Sequence, residues 1–179
     1  MTKEEARKYA LAKRGNLYSD ITNDYIVNKL QDAIKNFNNI GIYYPIGSEI
    51  NVLKIINNNP NKSFYLPITR DEIAFINYKN GDPLYDAKFH TKEPKGAIVD
   101  RDKIECFIIP CVAISNNKER VGYGKGYYDR YLDGYQGYKI GIIYKKLNNL
   151  EIACNDFDVK LDLIIEGWVY VFSNTFNGR

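Results

Sequence analysis

Residues 104–114 read Ile-Glu-Cys-Phe-Ile-Ile-Pro-Cys-Val-Ala-Ile, eleven residues with one charge. A run that apolar has no face to offer water, so as a strand it is covered on both sides. Strands of that kind belong to parallel sheets clad by helices. The rest of the chain alternates helical and strand patterns. Thr2-Lys3-Glu4-Glu5 has the form of a capping box and opens a helix to about Arg14. Ser19 caps a second helix, with Ile21, Tyr25, Leu30, Ala33, Ile34 and Phe37 at the helical period. Residues 39–46 read as a buried strand that stops at Pro45-Ile46-Gly47. Ser48 is placed to cap a third helix carrying Ile50, Leu53, Ile55 and Ile56. Residues 63–69 and 72–78 read as shorter strands, the second closed by Asn80-Gly81. A short helix is expected to end near Leu132, followed by strands over 138–144 and 161–172. This order predicts an α/β fold of three layers, α/β/α, around a central, largely parallel mixed sheet. Ligands in such folds sit beyond the carboxyl ends of the strands. The loops that qualify are 45–49, 67–71 and 115–129.

The 179 residues are read as one domain, 1–179. The chain has no apolar run of about 18 residues, so no membrane span is expected. Its helical, charged start has no apolar secretory core. The net charge of +3 is too mild to demand nucleic acid, yet it suits an anionic small molecule. Cys106, Cys111 and Cys154 show no metal or disulfide spacing, and they fit a reducing cytoplasm as buried, inert thiols. Cys106 and Cys111 stand an odd number apart and so face opposite sides of a strand. His90 is the only histidine, so triad and multi-histidine metal mechanisms are set aside. Chemistry must then rest on Lys, Arg, Asp, Glu, Tyr and backbone amides. The 16 tyrosines rise together with Lys, Asn and Ile and read mainly as composition bias.

Residues 120–130 carry the strongest local signal: Arg-Val-Gly-Tyr-Gly-Lys-Gly-Tyr-Tyr-Asp-Arg. Gly122, Gly124 and Gly126 let a ligand approach the backbone, and successive free amides make an anion cradle. Arg120 and Lys125 add cationic donors for phosphate. The helix expected to start near Tyr127 favours anions at its N-terminus. Asp129 is a hard oxygen donor suited to Mg²⁺ shared with phosphates. The spacing is neither a Walker A loop nor a dinucleotide fingerprint. Lys3, Arg7 and Arg14 fall within about 40° of one another around a helix and form one basic face. Glu49 complements a helix N-terminus or serves a ligand, and Tyr44 is either a strand-end core residue or a pocket wall.

Gly122-Tyr123-Gly124-Lys125-Gly126-Tyr127-Tyr128-Asp129-Arg130-Tyr131-Leu132 closely resembles the signature of the 5-formyltetrahydrofolate cyclo-ligase family. The likeness extends to Lys3…Arg7…Lys13-Arg14, Ser48-Glu49-Ile50, Leu66-Pro67, Glu93-Pro94 and the segment around Asp158. Ser115, Lys118 and Phe157 depart from the usual pattern. The resemblance implies an ATP- and Mg²⁺-dependent enzyme that closes 5-formyltetrahydrofolate to 5,10-methenyltetrahydrofolate, releasing ADP and phosphate. It implies Arg120 and Lys125 as catalytic cations. It places ATP on Lys3, Glu4, Glu5, Ala6, Arg7, Arg120, Val121, Gly122, Tyr123, Gly124, Lys125, Gly126, Tyr127 and Tyr128. It places the reduced folate on Tyr44, Glu49, Tyr123, Gly124, Lys125, Gly126 and Tyr127, and Mg²⁺ on Asp129 and Asp158. The implied partners are those small molecules, with no nucleic acid, and a monomer in the cytoplasm is expected. Two other readings stay open: a non-catalytic relative that binds nucleotide, folate or RNA, and a sugar-phosphate isomerase on a similar scaffold.

Overall fold

The computed structural model describes residues 1–168. In chain order its elements are α1 (Lys3–Arg14), α2 (Asp20–Ala33), β1 (Asn39–Gly41), α3 (Lys54–Asn58), β2 (Ser63–Thr69) and β3 (Ile73–Tyr78). There follow β4 (Tyr85–Asp86), β5 (Lys92–Glu93), β6 (Cys106–Pro110), β7 (Ala113–Ile114), β8 (Arg120–Val121), α4 (Tyr127–Tyr131), β9 (Tyr138–Tyr144) and β10 (Leu163–Gly167). The main sheet has six strands in the order β10-β9-β6-β1-β2-β3. Every pairing is parallel except that of β2 with β3. The mixed, largely parallel sheet expected from the sequence is therefore present. β4 pairs with β5 and β7 with β8 in two small ribbons.

Helices lie on both faces. Gly167 is in register with Tyr144, and Ile142 with Pro110, so these residues share a face with Ile108. On that face Thr22 of α2 lies against Gly167; a Cβ there would come within 2.5 Å of its methyl group. α3 packs beside α2. Phe107 points the other way and meets Phe75, Tyr131 and Tyr135 at centroid distances of 4.9, 5.7 and 5.1 Å. Tyr131 carries α4 onto that second face. No helix among the described residues is long and apolar enough to cross a membrane.

The capping box of α1 is made in full. Glu5 N–H donates to Thr2 Oγ1 at 3.2 Å, and Thr2 N–H donates to the Glu5 carboxylate at 2.7 Å. Thr2→Ala is expected to cost about 1 kcal/mol, read as a lower urea midpoint with unchanged m-value. An unchanged midpoint would mean that the cap contributes nothing.

Four expectations need correction. The helix predicted from Ser48 begins only at Lys54. Tertiary bonds hold 48–53 out of helix: Tyr144 donates to the Ser48 carbonyl at 2.8 Å, and Asn51 N–H donates to Asn23 at 2.9 Å. The strand predicted over 39–46 keeps its ladder only to Gly41. Ile42 N–H still donates to the Tyr65 carbonyl, but the next donor would be Pro67, which has no N–H. The run 104–114 is broken after Pro110, and its last residues pair with β8 instead. On α2 the buried positions are Thr22, Asn23, Ile26, Val27 and Leu30, while Ile21 is 49% exposed. Of the strand predicted over 161–172, residues 163–167 are observed and the part after 168 lies outside the described residues. Burial pushes the Cys106 and Cys111 thiols up to about 12, which makes both poor nucleophiles.

Candidate functional site

A cavity of about 640 Å³ opens beyond the carboxyl ends of β1, β2 and β6. It is lined by Tyr43, Tyr44, Pro67 and Pro110 near those strand ends, by three loops, by the segment around Phe89 and by α1. All three loops anticipated at strand ends contribute to it. The glycine-rich segment supplies one wall from Arg120 through Asp129.

The two glycines here have distinct reasons. At Gly122 a Cβ would fall 2.6 Å from the Arg120 guanidinium, so only glycine lets this buried cation lie beneath the loop. Gly124 has φ +97°, a conformation unfavourable for other residues. Among the described residues, the loop and turn hydrogen bonds include none donated by amides from Gly122 to Gly126. An amide cradle, as read from the sequence, would find these donors unspent. α4 spans only five residues, so the cradle rests on these amides and the neighbouring cations rather than on a long helix.

Arg120 is 6% exposed. Its Nε donates to the Pro110 carbonyl at 2.8 Å, and its guanidinium lies 4.7 Å from the Tyr128 ring centre. Lys125 is exposed and faces the cavity. Its backbone carbonyl accepts from Arg130 Nη1 at 2.9 Å, and Arg130 is in turn paired to Glu72 at 3.2 Å. The loop is therefore fixed by its backbone, while no carboxylate among the described residues pairs with the Lys125 ammonium.

The basic face of α1 does pack over the loop, but it divides its labour. Arg7 Nε donates to the Gly122 carbonyl at 2.7 Å. Lys3 pairs with Asp158 at 2.7 Å. Arg14 does not line the cavity; it turns behind it to Tyr123 and Glu49. Glu4, Glu5 and Ala6, grouped with ATP by resemblance, do not line the cavity. Glu4 pairs with Lys8, Glu5 closes the cap, and Ala6 is core.

The two aspartates sit together at the loop's far end. Asp129 Oδ1 accepts from Val159 N–H at 3.2 Å. The Asp158 carboxylate accepts from Lys3 Nζ at 2.7 and 3.0 Å and from Asn155 N–H at 2.8 Å. Among the described residues no group of three or more His, Cys, Asp or Glu side chains could enclose a metal by itself. Mg²⁺ asks less than that, taking one or two carboxylates and completing its shell with phosphate oxygens and water. Asp129, with most of its lone pairs unused, and Asp158 fit that demand.

Glu49 is 5% exposed and lines the same cavity. Burial raises its carboxyl above the usual carboxylate range, and the Ile46 amide, Arg14 and Tyr123 oppose the rise. Tyr44 lies half-buried on the cavity wall, while Tyr127 reaches the Arg70 carbonyl at 3.5 Å.

One wall went unread in the sequence. Phe89, His90, Thr91 and Glu93 all face the cavity. Phe89 and His90 have φ of 62° and 57°, which no local signal announces. Glu93 is buried and ties this wall to β2 through Thr69 N–H and Arg70, each at 2.8 Å. The lone histidine, set aside from the sequence, thus lies at the site. Ser115, Lys118 and Phe157 do not line the cavity; Phe157 is 84% exposed, and Ser115 Oγ accepts from the Asn117 and Glu119 amides in a turn.

The profile of the 5-formyltetrahydrofolate cyclo-ligase family matches residues 2–167. The 5-formyltetrahydrofolate cyclo-ligase of Mycoplasma pneumoniae is 32% identical, over 92% of this chain and 98% of its own length. The NMR structure of the Aquifex aeolicus 5,10-methenyltetrahydrofolate synthetase superposes with a TM-score of 0.81 at 26% identity, covering 100% of this chain and 95% of that one. The Mycoplasma pneumoniae 5,10-methenyltetrahydrofolate synthetase structure gives a TM-score of 0.72 at 31% identity, over 92% and 98% of the two chains. With the glycine-rich loop, its cations and a buried carboxylate on one cavity, and with relatives that match end to end, the chain belongs to the 5-formyltetrahydrofolate cyclo-ligase family.

Proposed function

We propose that the chain converts 5-formyltetrahydrofolate and ATP into 5,10-methenyltetrahydrofolate, ADP and phosphate, with Mg²⁺. The observation that carries this reading is the company kept in one cavity: the glycine-rich loop, Arg120, Lys125 and two aspartates line it together with a buried carboxylate and aromatic side chains. The first set suits a triphosphate, and the second suits a flat ring bearing N–H and amino donors.

ATP supplies the phosphoryl group that turns the formyl oxygen into a leaving group, and Mg²⁺ neutralises phosphate charge when bound. The chain's own task is positioning and electrostatics. The amides from Gly122 to Gly126 hold the phosphates in line with the formyl oxygen. Arg120, fixed through Pro110, and Lys125 stabilise charge on the group in transit. Asp129 and Asp158 would hold the metal, with Lys3 keeping Asp158 in place. Glu49 accepts hydrogen bonds from the pterin and sets its orientation, with Tyr44, Tyr123 and Tyr127 as flat walls. This scheme needs no nucleophilic side chain, in keeping with inert thiols.

Metal removal tests the aspartate assignment. Turnover is expected to vanish with excess chelator and to return when Mg²⁺ is restored. Asp129→Asn should raise the Mg²⁺ concentration needed for half-maximal turnover by about tenfold or more. Activity unchanged by chelation would overturn the metal's role.

A further inference from the structure

Glu49 poses a physical problem that the substrate assignment does not solve. A carboxylate that is 5% exposed has lost its water and favours its neutral form, which is a poorer acceptor for a ring N–H. Its anion has to be held by neighbours. Ile46 N–H donates to Oε2 at 2.8 Å. The Tyr123 hydroxyl donates to Oε1 at 3.2 Å. Behind that hydroxyl stands Arg14.

Arg14 is 4% exposed, an unusual place for a guanidinium at the end of a surface helix. Its Nε donates to Ser48 Oγ at 3.0 Å, and its Nη2 donates to the Tyr123 hydroxyl. The guanidinium carbon lies 5.4 Å from the Tyr123 ring centre. Nη1 points at Glu49 Oε1 from 4.0 Å and has no hydrogen-bond partner among the described residues. A buried cation is costly unless its charge is used, and the only carboxylate within 4.0 Å of this one among the described residues is Glu49. Arg14 stands apart from the phosphate cations: Lys3, Arg7, Arg120 and Lys125 line the cavity and Arg14 does not, its Nε and Nη2 being engaged by Ser48 and Tyr123.

We propose that Arg14 is a positioning residue for the folate half of the cavity, holding Glu49 ionised and aimed at the substrate, both directly and through the Tyr123 hydroxyl. This rests on the assignment of Glu49 to folate recognition. It separates Arg14 from Lys3 and Arg7, with which its position on the helix grouped it.

The groups around Glu49 make the consequence sharp. Arg14 of α1 and Arg120 of β8 are the cations that act on it. Tyr123 of the glycine loop, Tyr43 after β1, Tyr128 of α4 and Tyr144 of β9 surround it, and Cys111 follows β6. Burial raises every one of these hydroxyls and the thiol, so they stay neutral at pH 9 and below, and Glu49, itself raised by burial, is the carboxyl among them. Folate binding should therefore fall on the acid side as Glu49 takes a proton. Without Arg14 the anion is less favoured, so that fall moves to higher pH.

The test is the dissociation constant of 5-formyltetrahydrofolate, measured by calorimetry from pH 5 to 9 without nucleotide. The proteins compared are the parent, Arg14→Met, Arg14→Lys, Tyr123→Phe and Glu49→Gln. Arg14→Met should weaken folate binding at pH 7 roughly 10- to 100-fold and move the acid fall upward, while ATP affinity changes less than about threefold. Arg14→Lys, which keeps the charge but not the fork, should recover part of the loss. Tyr123→Phe should move the acid fall in the same direction by less. His90 is present in all these proteins and cancels in the comparison. A folded Arg14→Met protein with the parent's pH profile, or with equal loss of folate and ATP affinity, would overturn the proposal. If Arg14→Met fails to fold, a parent-like profile in Tyr123→Phe overturns it instead. Parent-like folate affinity in Glu49→Gln sinks the Glu49 assignment itself, an outcome distinct from the others.

Discussion

Replacing Lys125 with alanine is expected to lower kcat about 100- to 1,000-fold. The same change should leave the thermal midpoint within about 2 °C of the parent. The two halves of that expectation have separate causes. Turnover suffers because the ammonium, unpaired among the described residues, lines the glycine-rich wall, and charge developing on a transferred phosphoryl group has to be met by a donor already in place. Stability does not suffer because the fold makes no use of the side chain. Among the described residues no carboxylate pairs with it. The loop around it is held by backbone features instead: glycine at φ +97° before it, glycine at φ +70° after it, and Arg130 on its carbonyl. Equal loss of turnover and stability would identify a structural lysine and contradict the proposed role.

Arg120→Met should behave differently, although it also removes a cation from the same wall. Turnover is again expected to fall about 100- to 1,000-fold. Here the folded state should lose about 1–3 kcal/mol as well, seen as a lower urea midpoint. The guanidinium is buried, satisfies the Pro110 carbonyl at the end of a central strand, and lies over Tyr128. Methionine keeps most of the volume, so the loss reports the unpaired carbonyl and missing charge rather than a cavity. Arg120→Lys should not restore the parent, because a single ammonium cannot serve both Pro110 and the ligand. A stable Arg120→Met protein with parent-like kcat would remove Arg120 from the catalytic group.

These two cations were legible in the sequence because their signal is local. Spacing among 120–130 was enough to name the wall, and α1, β2 and β9 were legible from caps and apolar runs. What was hidden depends on contacts between distant segments. Ser48 looked like a helix cap until Tyr144 and Asn23 claimed the neighbouring backbone. Residues 42–46 kept a strand-like composition but lost the ladder because Pro67, on another strand, has no N–H. Arg14 shares a helical stripe with Lys3 and Arg7, yet its partners Glu49 and Tyr123 are 35 and 109 positions away. The Phe89-His90 wall depends on left-handed backbone in residues with no preference for it. Composition misled in one respect. The tyrosines read mainly as bias, and Tyr43 and Tyr144 were not singled out, yet with Tyr123 and Tyr128, which were, they form the neutral ring around Glu49.

The most direct measurement is the absorbance of the methenyl product when the purified, folded protein is given 5-formyltetrahydrofolate with and without MgATP. Product should form only when both are present, with one phosphate released per ring closed. Absence of product from a protein shown to be folded and to bind both ligands would contradict the proposed activity.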